Sequence, residues 1–276
     1  MKIVCLKGGL GNQLFEYCRY RQLLDDGRER VWLYLDPRRL KSHRGALLTE
    51  GFDVRLPRVP LLVHALVLGV KLLRELHLFP HIYDDERDDC LLIDDYSQQR
   101  RFLTRAIDYL PFRQLSLSPS AQAVRSLIAA TPDSTFVHVR RGDYLHPTNL
   151  PHFGLCTLDY YAAAVRLVRQ QHPLAHLFVF SDDIEWARRH LTFPSATFVT
   201  HDPADADVVD LYLMSLCRHH VLANSTFSFW AAHLSAPGGI TVYPSRWFAD
   251  PTWQVPDIFP EHWLGLDTPL STLAAP

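Results

Sequence analysis

The second half of the chain alternates short, unbroken apolar runs with helix-like segments, and few architectures accept that pattern. The runs Thr135–Val139, His176–Phe180, His219–Ala223 and Ile240–Tyr243 are each separated by enough chain for a helix. Continuously apolar strands are covered on both faces, and strands separated by helices pair in parallel. The clearest helix is predicted over Leu158 to about Arg169, with Thr157 as N-cap. Its apolar stripe is Leu158, Tyr161, Ala162, Val165 and Val168. Before Pro111 and the Ser/Pro-rich stretch 116–120 the pattern is sparser. Strand Lys2–Leu6, a glycine loop, a helix from Asn12 to about Asp25 and strand Val31–Leu35 lead into irregular chain with helical apolar stretches. The expectation is an α/β protein of two facing Rossmann-like domains, residues 1–115 and 116–276, with largely parallel sheets.

Composition narrows the function classes. The chain has 276 residues, and a formal net charge of −2 gives nucleic acid nothing to bind. Only four of the 28 basic residues are lysines, an excess of arginine too general to mark one site. Cys5, Cys18, Cys90, Cys156 and Cys217 are odd in number, widely spaced and without a C-x-x-C pair, which fits reduced thiols in a cytoplasmic protein. Met1 leads straight into Lys2–Leu6, so no signal peptide is expected. The most apolar stretch, Pro60 to Leu73, carries His64 and Lys71 and is too short to span a bilayer. It reads as a buried or surface-lying helix. The acidic run Asp84 to Asp89 reads as a solvated loop.

In open parallel α/β sheets, ligands collect at the carboxyl ends of the strands. Four strand ends here carry compact polar clusters. The first strand runs into Lys7-Gly8-Gly9-Leu10-Gly11-Asn12-Gln13, and Thr135–Val139 into Arg140-Arg141-Gly142-Asp143-Tyr144. His176–Phe180 is followed by Ser181-Asp182-Asp183, and His219–Ala223 by Asn224-Ser225-Thr226. Together they describe a ligand with anionic and hydroxylated parts. Alternate strand residues share a face, so His138 and Arg140 point one way and Arg141 the other. Arg140 can offer a two-pronged fork to a diphosphate, with Asp143 orienting an arginine or a hydroxyl. Gly142 permits a tight turn. Ser225 and Thr226 open a helix through Phe227 and Trp230, where free N–H groups favour phosphate. The same hydroxyls could equally be caps, as could Asp182 or Asp183. Gly9 and Gly11 lack the third glycine of a dinucleotide fingerprint, but Asp36 ends the second strand where a ribose-binding acid would stand. A nicotinamide-dependent oxidoreductase is the competing enzyme class. The amides of Asn12 and Gln13 suit sugar hydroxyls better than a pyrophosphate. Asp143, His138 and His152 are the candidate general bases. Asp205-Ala206-Asp207 matches a cation-holding D-x-D but reads better as a helix cap, so no metal is expected.

These motifs resemble the α-1,2-fucosyltransferases. Lys7 to Phe15 is similar to that family's N-terminal glycine motif, and Val137 to Tyr144 to its H-x-R-R-G-D-Y motif. Asp210 to Cys217 and Ala223 to Trp230 resemble its C-terminal block. The resemblance implies a GT-B arrangement, GDP-fucose as donor, inversion at the fucose anomeric carbon, no metal or other cofactor, and a glycan acceptor such as a galactose O2. By carry-over Arg140 would bind the donor diphosphate and Asn224 to Phe227 would line the donor site; with the candidate bases added, the expected catalytic set is Arg140, Asp143 and His138. Donor contacts would come from Arg140, Arg141, Ser181, Asp182, Asn224, Ser225, Thr226, Phe227, Gly9, Gly11 and Asn12. Acceptor contacts would come from Gln13 and His152, with the first domain as acceptor side and the second as donor side. Glu16 and Cys18 depart from the family's glutamine and alanine, and Leu145 to Asn149 is unusual. The implied setting is bacterial polysaccharide synthesis in the cytoplasm, peripheral to the inner membrane if the acceptor is lipid-linked. A domain that binds the nucleotide or glycan without catalysis is the non-enzyme alternative.

Overall fold

The computed structural model describes residues 1–27, 30–37, 40, 45–83, 90–200 and 207–273. It divides into two compact units, Met1–Arg113 and Gln114–Pro276. In the first, β1 (Lys2–Leu6) lies between β2 (Val31–Leu35) and β3 (Leu92–Ile93), all parallel. Every residue of β1 is buried, as its unbroken apolar run requires. The following α1 (Leu10–Asp25) starts two residues earlier than the sequence pattern places it. The Gly9 carbonyl accepts the N–H groups of both Asn12 and Gln13 at 3.0 Å, winding the helix directly off the glycine loop. Gly8 takes φ +71°, a conformation that favours glycine. Strand β3 is absent from the sequence reading, because two residues carry no periodicity. The acidic run 84–89 just before it lies outside the described residues. The helix α2 (Leu61–Glu75) lays Val63, Val67 and Val70 over Ile3, Cys5, Tyr34 and Leu92.

Two acids meet the end of β1. Lys7, buried, pairs its Nζ with Asp94 Oδ1 at 2.9 Å, and Arg74 reaches the other oxygen at 3.2 Å. Glu16 is fully buried, and its Oε2 accepts the Lys7 backbone N–H at 2.7 Å. Its Oε1 has no hydrogen-bond partner. Burial drives the Glu16 carboxyl well above its ordinary value, the Lys7 N–H opposing. A protonated carboxyl has the shape of an amide, which accounts for glutamic acid where glutamine is expected. The folded chain therefore keeps a proton that the unfolded chain releases above about pH 4.5, so this residue costs stability as pH rises. Glu16→Gln is expected to raise the thermal midpoint at neutral pH, and the gain should vanish below pH 4.5. Melting curves of both proteins across pH test this, and a gain that is equal at all pH values would refute it.

The second unit contains α3 (Pro119–Ala129), β4 (Ser134–Val139), α4 (Leu158–Gln171), β5 (His176–Ser181), α5 (Ile184–His190) and β6 (Ala196–Phe198). It continues with α6 (Asp207–Ser215), β7 (His219–Val221), α7 (Thr226–His233), β8 (Thr241–Pro244) and β9 (Leu264–Leu266). Six parallel strands lie in the order β9-β8-β7-β4-β5-β6. Counted from β4, this is the 3-2-1-4-5-6 order of doubly wound sheets, whose ligand crevice opens where the order reverses, between β4 and β7. The core under it joins Val137, Val139, Val179, Val221 and Val242 to Tyr160, Tyr161, Val165 and Val168 of α4.

Thr157 does cap α4, accepting the Tyr160 N–H at 3.3 Å. The expected stripe needs correction. Leu158 and Ala162 face solvent, while Tyr160 and Ala164 are buried. Tyr160 turns inward because its hydroxyl donates to the Leu222 carbonyl at 2.6 Å. Of the D-x-D triplet, Asp205 and Ala206 lie outside the described residues, and Asp207 opens α6. No helix among the described residues is long and apolar enough to cross a membrane.

Candidate functional site

Two segments flank the order reversal of the six-stranded sheet, Arg140–Asp143 after β4 and Asn224–Phe227 after β7. Arg140 leaves the strand with its side chain about one third exposed. Its Nη1 meets Asp182 Oδ2 at 2.9 Å, and its Nη2 meets Asp143 Oδ1 at 2.6 Å. Burial opposes the guanidinium charge, and the two carboxylates more than offset it, so the group stays ionised. Two of its five donors are engaged, leaving N–H groups for an anion. Asp182 is itself fixed, because its Oδ1 accepts the Arg141 backbone N–H at 2.9 Å. Gly142 allows that approach: a Cβ there would stand 2.6 Å from Asp182 Oδ2. Its φ is −13°, so close contact rather than a left-handed turn demands glycine.

Below this fork lies Tyr144, its ring 5.6 Å from the Arg140 guanidinium carbon and its hydroxyl donating to the Asn224 carbonyl at 2.9 Å. That bond ties the loop after β4 to the loop after β7. Ser225 caps α7, its Oγ accepting the Phe227 N–H at 3.3 Å. The helix start therefore presents backbone N–H groups from the strand end next to the one that carries Arg140.

Several residues expected to touch a ligand are engaged elsewhere. Asn224 is buried, and its Nδ2 donates to the carbonyls of Phe153 at 2.9 Å and Trp247 at 3.2 Å. It braces the loops rather than facing the crevice. Gln13, fully buried, donates to the Gly8 and Gly45 carbonyls and accepts the Leu48 N–H. Both of its amide hydrogens are committed to backbone carbonyls and the side chain is fully buried, so it does not present itself to an acceptor. Arg141 is buried with its guanidinium carbon 3.7 Å from the Trp186 ring centre and its Nε on Asp183, so it holds α5 instead of a diphosphate. Asp183 caps that helix and Ser181 Oγ accepts the Asp183 N–H. His138 is buried against Phe227, and its Nδ1 has no partner. Burial, then Arg140, pushes its pKa down to about 3. Of the three candidate bases it is the buried one, whereas the side chains of Asp143 and His152 are about half exposed.

His152 differs. Its Nδ1 lies 2.8 Å from Asp250 Oδ2, its ring stacks on Trp253 at 5.1 Å and 6°, and its side chain is 45% exposed. Asp250 is locked by the Thr252 hydroxyl and N–H, which with His152 hold its pKa down to about 2. An Nδ1–H donated to Asp250 leaves Nε2 free to accept. Asp250 and Trp253 escaped the sequence reading, since nothing local in Asp250-Pro251-Thr252-Trp253 announces a partner 98 positions away. In the first unit, Gly9, Gly11 and Asn12 stand at the start of α1, where Asn12 Oδ1 accepts from Gln98 at 3.0 Å. Asp36 pairs with Lys71 at 2.7 Å.

Among the described residues one group of three could be considered for a cation, Asp133, His172 and His219. It sits at the opposite, amino ends of the strands. His219 Nδ1 accepts the Ile240 N–H at 3.0 Å, so in the neutral ring Nε2 carries the hydrogen and points at Asp133, 3.6 Å away. A cation would need that lone pair. The donor set fits a histidine–aspartate brace, not a metal centre.

Comparison with known proteins adds a second line of observation. The family model described as glycosyl transferase family 11 matches residues 121–267. The chain is 29% identical to an α-1,2-colitosyltransferase of Escherichia coli, over 95% of this chain and 97% of that one. It is 29% identical to the O-antigen biosynthesis glycosyltransferase WbnK of Escherichia coli, over 89% and 94%. It is also 30% identical to galactoside α-(1,2)-fucosyltransferase 1 of Lagothrix lagotricha, over 72% of this chain and 52% of that one. Among solved structures it resembles the NodZ α-1,6-fucosyltransferase soaked with GDP-fucose, at 15% identity, covering 87% and 94%, with a TM-score of 0.50. At that identity the likeness speaks for a shared GT-B-like α/β fold.

Proposed function

The chain belongs to glycosyl transferase family 11, and from that premise we propose that it moves L-fucose from GDP-fucose to a hydroxyl, galactose O2, of a glycan acceptor. The observation that carries this is the Arg140 fork at the sheet's order reversal, beside the start of α7. An acceptor oxygen attacks the anomeric carbon, the carbon–oxygen bond to the diphosphate breaks on the opposite face, and GDP leaves with the bonding pair. Arg140 stabilises the charge that develops on the leaving diphosphate, with the N–H groups near Ser225 to Phe227 adding to it. Asp182 positions Arg140. Asp143, half exposed and hydrogen-bonded to Arg140, takes the acceptor's proton. His152 meets the acceptor through the nitrogen that Asp250 leaves free. In this proposal the cationic fork supplies the leaving-group stabilisation and no metal is required. The setting proposed is polysaccharide synthesis in the cytoplasm, at the membrane surface if the acceptor is lipid-linked.

The full-length match to a colitosyltransferase favours one second reading. Colitose is fucose without its 3-hydroxyl, so the same diphosphate site could serve either sugar. Calorimetric titration with GDP, GDP-fucose and NAD, with EDTA present throughout, tests the donor class. GDP and GDP-fucose are expected to bind with Kd on the order of 1 μM to 1 mM, and NAD not to bind. Absence of GDP binding, or binding only with a divalent cation, would sink the donor-site proposal. Transfer assays with GDP-fucose and GDP-colitose then separate the two sugars.

A further inference from the structure

Below the Arg140 fork, Tyr144 begins an aromatic cluster that runs out to the surface of the second unit. Its ring stacks on Phe153 at 4.7 Å and 20°. Phe153 meets Trp253 edge to face at 5.4 Å, and Phe248 lies 5.1 Å from the same indole. His152 lies parallel to Trp253. Tyr144 and Phe153 are partly buried, whereas Trp253 is 42% exposed. The backbone sets this outer pair before anything binds. The Ala249 and Asp250 N–H groups both donate to the His152 carbonyl, at 2.8 and 3.1 Å, and the Trp253 N–H donates to the Asp250 carbonyl at 3.2 Å. Gly154, at φ +64°, lets the two segments touch, since a Cβ there would stand 2.8 Å from the Ala249 Cβ. Among the described residues neither His152 Nε2 nor the Trp253 indole N–H has a hydrogen-bond partner.

A flat, fixed ring pair in water, with one acceptor and one donor at its edge, suits a ligand that is apolar on its face and polar at its rim. A pyranose is built that way. The C–H bonds of one face carry slight positive charge and match the negative face of an aromatic ring, while the hydroxyls around the rim need hydrogen bonds. Location favours a sugar over a protein surface. Asn149, three residues before His152, donates through Nδ2 to the Asp143 carbonyl at 2.8 Å. The segment that bears His152 is therefore fastened to the loop that carries the Arg140–Asp143 pair. Whatever lies on the ring pair is held by the same loop as the fork, which is where an acceptor sugar has to be presented.

We propose that the His152–Trp253 pair is a sugar platform, on which one pyranose ring of the acceptor lies with its C–H face on the aromatic pair and a hydroxyl donating to His152 Nε2. The proposal rests on the acceptor half of the proposed function and puts part of the acceptor site in the second unit. In galactose the C–H bonds at C3, C4 and C5 share one face, so stacking leaves the C2 hydroxyl at the rim for transfer.

The test is saturation-transfer NMR of the whole protein with methyl β-D-galactopyranoside, with and without GDP. Transfer should be strongest to the hydrogens on C3, C4 and C5 and weakest to the methyl group. Trp253→Ala should weaken sugar binding about tenfold, while GDP affinity by calorimetry stays at the wild-type value. Trp253→Phe keeps a ring against Phe153 and Phe248 and should fall between the two. Three results would overturn the proposal: no transfer to the sugar or transfer spread evenly over it, equal binding by the wild type and the alanine variant, or an alanine variant that loses sugar and GDP together, which marks a structural brace. Sugar contact of the expected pattern in a protein that does not bind GDP would uphold the platform and sink the donor-site proposal.

Discussion

Replacing Arg140 by alanine is expected to lower turnover by about 10²–10³, the usual loss when one donor aimed at developing charge is removed. The geometry explains why the loss should fall on kcat. Arg140 sits at the end of β4, and Asp182, itself held by the Arg141 N–H, fixes its direction before any ligand arrives. A diphosphate gains negative charge as the sugar departs, so a fixed cation binds the transition state more tightly than the ground state. Arg140→Lys keeps the charge but loses the planar fork, and should recover only part of the activity. Asp182→Asn leaves Arg140 in place but loosens its aim, so a smaller loss of kcat is expected. Alanine also leaves Asp143 and Asp182 without their shared cation, so melting curves must accompany the kinetics. If folded Arg140→Ala turned over within a few-fold of wild type, the leaving-group role would belong elsewhere.

What the sequence disclosed follows from the range of the forces involved. The parallel sheet of the second unit was legible because burial on both faces writes itself into four consecutive apolar runs. Strand ends were legible too, since backbone direction alone places Arg140 and Ser225 at one edge of the sheet. Side-chain commitments were not. Gln13 and Asn224 stand in polar clusters that look like ligand sites, yet each gives its amide to backbone carbonyls brought near by the fold. Strand alternation set Arg140 and Arg141 on opposite faces, but only the fold shows that Trp186 claims Arg141, which was expected among the donor contacts. His152 acquires its orientation from Asp250, which only tertiary structure supplies. Glu16 is the reverse case. A departure from the family's pattern drew attention in the sequence, and burial explains it by keeping the acid protonated.

Gly239→Ala is expected to be the most destabilising single-methyl substitution in the second unit. Gly239 passes the backbone where the chain enters β7, and a Cβ built on it would overlap the Arg218 carbonyl oxygen and lie 2.7 Å from its carbon. Neither strand can yield. The Arg218 N–H is bonded to the Ser134 carbonyl at 2.9 Å, the His220 N–H to the Ile240 carbonyl at 2.8 Å, and the Ile240 N–H to His219 Nδ1 at 3.0 Å. Relief would require breaking that ladder at the base of the strands that carry the site. A loss above about 4 kcal/mol follows, a large part of the roughly 5–15 kcal/mol that holds a typical domain folded. Its neighbour is the control. Gly238 has φ +101° but nothing near its missing Cβ, so Gly238→Ala should cost only backbone strain of about 1–3 kcal/mol. Urea unfolding of the two variants separates steric from conformational need. Equal midpoints would mean that the close approach at Gly239 does not exist in solution, and that the β7–β8 pairing is looser than its hydrogen bonds imply.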